Sequence, residues 1–257
     1  MQRQFRHTYT VRYDECDSYG SLTPAAFLRY MQDIAGLDAE DIHFSNGGFW
    51  IVKRTVISFA ASIPLHSRLE VTTYGMGFTR ITAQRGYDAR LASDPSGEPV
   101  IKARTLWVYV DRRGRPIRMP ENTASLWLPD GPGAQLAETV FAPVPERLSA
   151  RTMAIVRFSD TDHMQHLNNA AAVELLDNAA WESYTAAGIT PATVAMSALS
   201  YDIEYIASTP FSEPVEIETW FEPFPVIGEE FSRVQQITHN GRTVVRADSR
   251  WICRSAQ

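Results

Sequence analysis

Val11-Arg12-Tyr13-Asp14-Glu15-Cys16-Asp17-Ser18-Tyr19-Gly20-Ser21-Leu22 and Val156-Arg157-Phe158-Ser159-Asp160-Thr161-Asp162-His163-Met164-Gln165-His166-Leu167 are two versions of one stretch. The offset is 145 residues throughout, and valine, arginine, an aromatic, aspartate and leucine recur in register. Further pairs follow in the same order. Phe59-Ala60-Ala61-Ser62-Ile63-Pro64 matches Tyr205-Ile206-Ala207-Ser208-Thr209-Pro210, and Leu69-Glu70-Val71 matches Val215-Glu216-Ile217. Ala103 to Trp107 matches Ala247 to Trp251. A chain of 257 residues could be one large domain or two modest ones. Four ordered matches at nearly one offset decide for a tandem duplication.

Each copy has the same local grammar. A short strand (Tyr9 to Tyr13, Met153 to Phe158) enters a loop, and the loop enters a helix. In the first copy Thr23 is a natural N-cap, and Pro24 suits the first helical position, where a missing N–H costs nothing. Phe27, Tyr30, Met31 and Ile34 then recur at the spacing of one buried helical face. In the second copy Asn168 takes the cap, and Val173, Leu176, Ala180 and Tyr184 repeat the stripe. Gly36 and Gly188 read as the helix ends.

Strands follow. Val215 to Trp220 alternates apolar and polar residues, as a half-buried strand does. Phe231 to Thr238 and Thr243 to Cys253 flank His239-Asn240-Gly241-Arg242, and Asn-Gly is the strongest short hairpin signal. In the first copy Asp94-Pro95-Ser96-Gly97 joins Gln84–Leu91 to Val100–Asp111. One long helix followed by an antiparallel meander can bury its stripe only against the sheet, which is an α+β layout. A helix wrapped by a curved sheet is the hot-dog arrangement, and two copies make a tandem double hot-dog.

Between the copies, Leu128 to Leu148 carries Pro129, Pro132, Pro143 and Pro145 with Gly131 and Gly133. Proline blocks helix interiors and ladder donation, so this stretch reads as a linker. The expected domains are therefore 1–128 and 149–257, joined by 129–148. The formal charge of −6 disfavours a nucleic-acid partner, which calls for a basic face. No apolar run approaches the roughly 20 residues that span a bilayer, so no membrane role is expected. Residues 1–7 show no secretion signal, and Cys16 and Cys253 read as free thiols, which points to the cytoplasm.

The segment richest in chemistry is Asp162-His163-Met164-Gln165-His166-Leu167-Asn168-Asn169, just before the second helix. Here a carboxylate and an imidazole sit four residues apart beside a helix N-terminus. The unpaired N–H groups there can polarise a carbonyl oxygen. A carboxylate base or nucleophile with such donors is what thioester hydrolysis needs, without metal or cofactor. A plainer reading stays open, in which Asn168 only caps the helix and Asp162 only braces the loop. Asp160, Asp162, His163 and His166 lack the ligand spacing typical of zinc. Gly75-Met76-Gly77 lacks the third glycine of a dinucleotide fingerprint, and no Gly-x-Ser-x-Gly elbow is present. Arg112, Arg113, Arg115 and Arg118 form the one basic cluster: a solvated hairpin tip, or a dock for an acidic protein or for phosphates.

The segment resembles the Asp-x-Asn-x-His-x-Asn-Asn motif of plant and bacterial acyl-ACP thioesterases, which are double hot dogs. Arg12 to Asp17, Trp50 to Arg54, Arg80 to Arg85 and Leu106 to Val110 are similar to first-half segments of that family. The resemblance implies hydrolysis of fatty acyl-ACP to free fatty acid and acyl carrier protein. It implies an acyl-binding first half and catalytic groups in the second: Asp162, His166 and Asn168. Two positions depart from the pattern. The motif asparagine is Met164, and the glutamate falls at Ser208. Neither can replace the expected group as donor or base, so both are carried as substrate-binding positions with Arg112, Arg113 and Arg115. Glu204 is a poor substitute, being about 13 Å from Ser208 along an extended strand. Asp17-Ser18-Tyr19-Gly20 is similar to the Asp-x-x-Gly of hydroxybenzoyl-CoA thioesterases, which makes Asp17 the rival carboxylate. An acyl-CoA thioesterase, a non-catalytic acyl-thioester binder and, less favoured, a dehydratase of the same fold remain as alternatives. A monomer or a homodimer is compatible with the duplication.

Overall fold

The computed structural model describes residues 2–44 and 47–256; Met1 and Gln257, the outermost residues of the expected domains, lie outside it, as do Ser45 and Asn46. The chain forms two compact units. One is Met1–Cys16 with Gly20–Leu22 and Arg29–Val140; the other is Asp17–Tyr19 with Thr23–Leu28 and Phe141–Gln257.

In the first unit β1 (Gln4–Thr10) leads into a single 3-10 turn (Tyr13–Glu15) and on to α1 (Pro24–Asp41), whose first residues to Leu28 group with the second unit. Then come β2 (Phe49–Phe59), β3 (Arg68–Phe78), β4 (Thr82–Leu91), β5 (Ile101–Val110) and the short α2 (Thr123–Trp127). Neighbouring strands are antiparallel in the order β1-β3-β4-β5-β2. The second unit repeats this with β6 (Ala150–Ile155), a 3-10 turn (Phe158–Asp160), α3 (Asn169–Ala186), β7 (Val194–Tyr205), β8 (Pro214–Glu222), β9 (Glu230–His239) and β10 (Arg242–Ser255). Its order, β6-β8-β9-β10-β7, is the same permutation. The expected stripes Phe27, Tyr30, Met31, Ile34 and Val173, Leu176, Ala180, Tyr184 are all buried. The strands carry buried apolar residues of their own, such as Leu69, Val71, Tyr87 and Ala89 in the first unit and Val215, Ile217 and Ile237 in the second.

Both caps form as expected. The Thr23 hydroxyl accepts from Ala26 N–H at 3.2 Å, and the Asn168 side chain accepts from Ala170 N–H at 2.8 Å. Gly188, with φ 82°, follows the end of α3. Gly36 does not end α1, which continues to Asp41. The reason is tertiary. Asp38, only 1% exposed, accepts from Arg3 Nε at 2.9 Å, Arg85 Nη1 at 2.6 Å and Trp127 Nε1 at 2.6 Å. Three anchors outweigh the ~1 kcal/mol that an internal glycine costs a helix. The entry strands also start and stop earlier than expected, because Tyr13 and Phe158 open 3-10 turns instead of ending strands. In each turn the acid accepts both the main-chain N–H and the guanidinium of the arginine three residues before it: Glu15 from Arg12, with the N–H at 2.8 Å, and Asp160 from Arg157, with the N–H at 2.8 Å. The two aromatics are left 84% and 80% exposed.

Leu128 to Leu148 forms no helix or strand, but residues 132–139 are bound down on the first unit. Phe78 N–H donates to Pro132 O at 2.8 Å, and Gly77 bridges Gly133. The Gln84 amide brackets Leu136, accepting its N–H at 2.7 Å and donating to its carbonyl at 2.8 Å. Arg104 binds Glu138 and Arg54 binds the Thr139 carbonyl, each at 2.5 Å. The strap thus crosses β3, β4, β5 and β2 in turn. It passes close enough over Gly77 that an added Cβ would lie 2.6 Å from the Ala134 carbonyl carbon.

Candidate active site

The Asp162 loop is a tight turn closed by main-chain bonds. Thr161 bridges Leu167, Asp162 N–H donates to His166 O at 3.1 Å, and Gln165 N–H donates to Asp162 O at 2.9 Å. One carboxylate oxygen of Asp162 accepts Met164 N–H at 2.9 Å, so the side chain braces the turn through Oδ1. That bond leaves Oδ2 for other work. The turn is docked on the loop after β7, with Leu167 N–H on Thr209 O at 2.8 Å and His166 bridging Pro210. Asn168 N–H donates to Asp160 O at 2.8 Å, which fixes the turn to the start of α3.

Asp162, Met164, His166 and Asn168 are therefore brought into one turn at a helix N-terminus. Asp162, His166 and Asn168 are half-buried, and Met164 is 37% exposed. Ser208 is exposed on the neighbouring loop, one residue before Thr209. Sequence reasoning did not single out Tyr205 as part of this constellation. Its hydroxyl donates to Asn169 O at 3.2 Å, placing a phenol at the first turn of α3. The signal available was its place at the head of the repeated Tyr205–Pro210 segment. Among the described residues no three His, Cys, Asp or Glu side chains gather as a metal site.

The first copy has the same turn. Asp17 Oδ1 accepts Tyr19 N–H at 2.9 Å, Cys16 bridges Leu22, and Leu22 N–H donates to Ile63 O at 2.8 Å. The two turns differ at the residue that needs a left-handed backbone. Gly20 has φ 73°, whereas its counterpart Gln165 has φ 63°. A residue with a Cβ is strained there. Gln165→Gly is expected to raise stability by on the order of 1 kcal/mol, read as a higher urea midpoint at unchanged m. A lower midpoint would show that the glutamine side chain stabilises the turn more than its backbone strains it. Tyr19 stands where the second copy has Met164, and its hydroxyl donates to the Pro191 and Val194 carbonyls.

The four arginines lie on the first unit, beyond β5. Arg115 is held by Asp111 through Nε at 3.0 Å and Nη2 at 2.9 Å. The Asp111 carboxyl is held below its usual range by N–H donors from the Arg115 and Arg113 backbone and by the Arg115 side chain. Arg112, Arg113 and Arg118 are exposed, and their guanidinium groups have no acid partner among the described residues.

Residues 2–126 match the acyl-ACP thioesterase N-terminal domain, and residues 156–257 match the thioesterase-like superfamily. No protein of curated function matches the chain by sequence. Three solved structures share its architecture end to end. A Lactobacillus plantarum protein assigned as an oleoyl thioesterase has TM-score 0.84 at 14% identity, over 98% of this chain and 96% of its own. The 12:0-ACP thioesterase from Umbellularia californica has TM-score 0.79 at 16% identity, over 98% and 94%. An acyl-ACP thioesterase from Bacteroides thetaiotaomicron has TM-score 0.75 at 17% identity, over 96% and 97%. At these identities the likeness establishes the fold, the tandem double hot-dog. The family match adds what the fold alone does not, because it rests on the sequence itself. The first half of the chain is thus similar to the acyl-ACP thioesterase N-terminal domain, and the second half to the broader thioesterase-like superfamily.

Proposed function

We propose that this protein hydrolyses fatty acyl-ACP to free fatty acid and acyl carrier protein, with the chemistry at the Asp162 turn. The observation that carries the reading is the match of residues 2–126 to the acyl-ACP thioesterase N-terminal domain. The geometry of the turn supports the assignment of roles. Asp162 Oδ2 takes the proton of a water that attacks the thioester carbonyl carbon. The first-turn N–H groups of α3 that the Asn168 cap leaves over stabilise the oxyanion. The C–S bond then breaks, and the proton returns from Asp162 to the leaving pantetheine sulfur. His166, on the same turn, orients the water or the departing sulfur. No cofactor takes part, and the proposed setting is the cytoplasm, where Cys16 and Cys253 stay as the free thiols they are here.

Met164 and Ser208 keep a second reading in play, since both replace polar groups of the family motif in the half that matches only the broader superfamily. Turnover on matched panels of acyl-ACP and acyl-CoA separates the cases. Faster hydrolysis of acyl-ACP is expected. Equal or better hydrolysis of acyl-CoA would reassign the carrier, and tight acyl-ACP binding without turnover of either would make the protein a binder.

The carrier is acidic, so the exposed arginines are its proposed dock. Arg112→Ser with Arg113→Ser is expected to raise KM for acyl-ACP about fivefold and to flatten its dependence on salt. Short synthetic thioesters should be hydrolysed as before. Arg115→Ser should matter less, because its guanidinium is already committed to Asp111. An unchanged KM in the double variant would return the cluster to a solvated hairpin tip.

A further inference from the structure

The duplication supplies an internal comparison on the outer sheet face of each unit. Counterpart positions follow from register. Thr73 opposes Tyr87, which opposes Ala103, and Thr219 opposes Gln235, which opposes Ala247. Ala103 and Ala247 are repeat partners, so Thr73 corresponds to Thr219 and its neighbour Thr72 to Glu218. Arg6 opposes Thr72, as Arg151 opposes Glu218. By the same register Gln4 corresponds to Ser149, Tyr74 to Trp220 and Asp88 to Gln236.

In the second unit this surface is closed around one carboxylate. Glu218 is 9% exposed and is held by Arg151 Nη2 at 3.0 Å, Ser149 Oγ at 3.0 Å and Gln236 Nε2 at 2.5 Å. In the first unit Thr72 stands in the place of that glutamate, and a cavity of about 340 Å³ opens over it. Gln4, Arg6, Glu70, Tyr74, Asp88 and Arg90 line it. Its ion pairs are loose: Arg6–Glu70 at 3.8 Å and Arg90–Asp88 at 3.9 Å, against 3.0 Å for Arg151–Glu218. The hydroxyls of Thr72 and Tyr74 have no hydrogen-bond partner among the described residues. Tyr74 lies flat over Gly86, where an added Cβ would come 2.5 Å from its ring. Such a volume is at the lower end of what small-molecule sites offer.

We infer that this cavity in the first unit binds a small zwitterion of the α-amino acid class. The ligand carboxylate takes the position that the Glu218 carboxylate holds in the second unit, on Arg6 with Gln4. The row across the strands is Arg6, Thr72, Asp88. Adjacent strands are about 4.8 Å apart, so Arg6 and Asp88 face each other across a span that fits a molecule of that size. Asp88 replaces the donor Gln236 with an acceptor, and it receives the ligand ammonium. A simple anion would meet the charge of Asp88, and a simple cation that of Arg6. The opposed pair therefore selects a molecule carrying both charges.

The test is titration of the full chain with a panel of α-amino acids, followed by saturation-transfer NMR and thermal melting. Acetate and ethylammonium serve as single-charge controls. At least one amino acid should bind saturably and raise Tm, and neither control should. Arg6→Ala should weaken that binding at least about tenfold, the scale of one lost charge-assisted hydrogen bond. Thr72→Glu should abolish it by rebuilding the closed surface of the second unit. Acyl-ACP turnover should be unchanged in both variants, so the outcome is independent of the proposed hydrolysis. Arg6 is largely exposed on an edge strand, so its removal tests the site even if Thr72→Glu perturbs folding. Absence of saturable binding across the panel overturns the inference. So does equal affinity in wild type and Arg6→Ala.

Discussion

Asp162→Asn is expected to lower kcat for acyl-ACP by about 100-fold or more, the usual scale for losing a general base, whereas Asp17→Asn should cost less than about tenfold. The two turns are so alike that the comparison is well controlled. Each aspartate accepts a main-chain N–H two residues on, from Tyr19 or from Met164, at 2.9 Å. Asparagine keeps that acceptor through its amide oxygen, so either variant retains the turn and loses mainly the charge and basicity of the other oxygen. What differs is the surroundings. The Asp162 turn has His166 and an asparagine cap, with an N–H on every residue of the first turn of α3. The Asp17 turn has Ser21 at the histidine position, and Pro24 removes one donor from the start of α1. Its Tyr19 side chain is spent on the Pro191 and Val194 carbonyls. Far-UV and thermal measurements on both variants check that the turns persist. Abolished turnover in Asp17→Asn with mild loss in Asp162→Asn would reverse the assignment of the copies.

How much of this was legible beforehand depends on how far apart the partners are in sequence. The duplication, the two caps and the helical stripes are local or periodic, and they read directly from residues such as Thr23, Asn168 and Ile34. The continuation of α1 past Gly36 does not. It depends on Asp38 meeting Arg3, Arg85 and Trp127, which are 35, 47 and 89 positions away. The strap after Pro132 has the same character. Proline and glycine announce only that no helix or strand forms there. Its hydrogen bonds go to the side chains of Gln84, Arg54 and Arg104, and no local pattern connects those. At the candidate site the motif located Asp162, His166 and Asn168. Tyr205 was hidden because its contact with Asn169 depends on how the end of β7 meets the start of α3.

Asp177→Leu is expected to destabilise the chain by about 3–5 kcal/mol, while Arg233→Met should cost clearly less and the double variant should recover most of the loss. The asymmetry follows from burial. Arg233 is 2% exposed at the centre of β9, while Asp177 keeps 21% of its side chain open. The guanidinium donates to Asp177 at 2.6 Å and to Tyr201 at 2.7 Å, and it stacks 3.9 Å from the Trp251 ring. Burial works against its charge. The surrounding Tyr201, Tyr184 and Asp177 outweigh that and hold its pKa above the ordinary value. Removing the carboxylate strands a cation with no route to water. Removing the arginine instead leaves a carboxylate that can hydrate through its open side. The first unit shows that an arginine at this place belongs to the architecture. Arg85 opposes Thr105 as Arg233 opposes Ser249, so the two arginines are counterparts. Their acids are not, since Asp38 lies deeper along α1 than Asp177 does along α3. Each copy has thus kept the sheet arginine and neutralised it from a different turn of its helix. A urea-melt cycle over the two single variants and the double measures the coupling. Additive costs would mean that Tyr201 and Trp251 alone carry the cation and that the Asp177 contact contributes little.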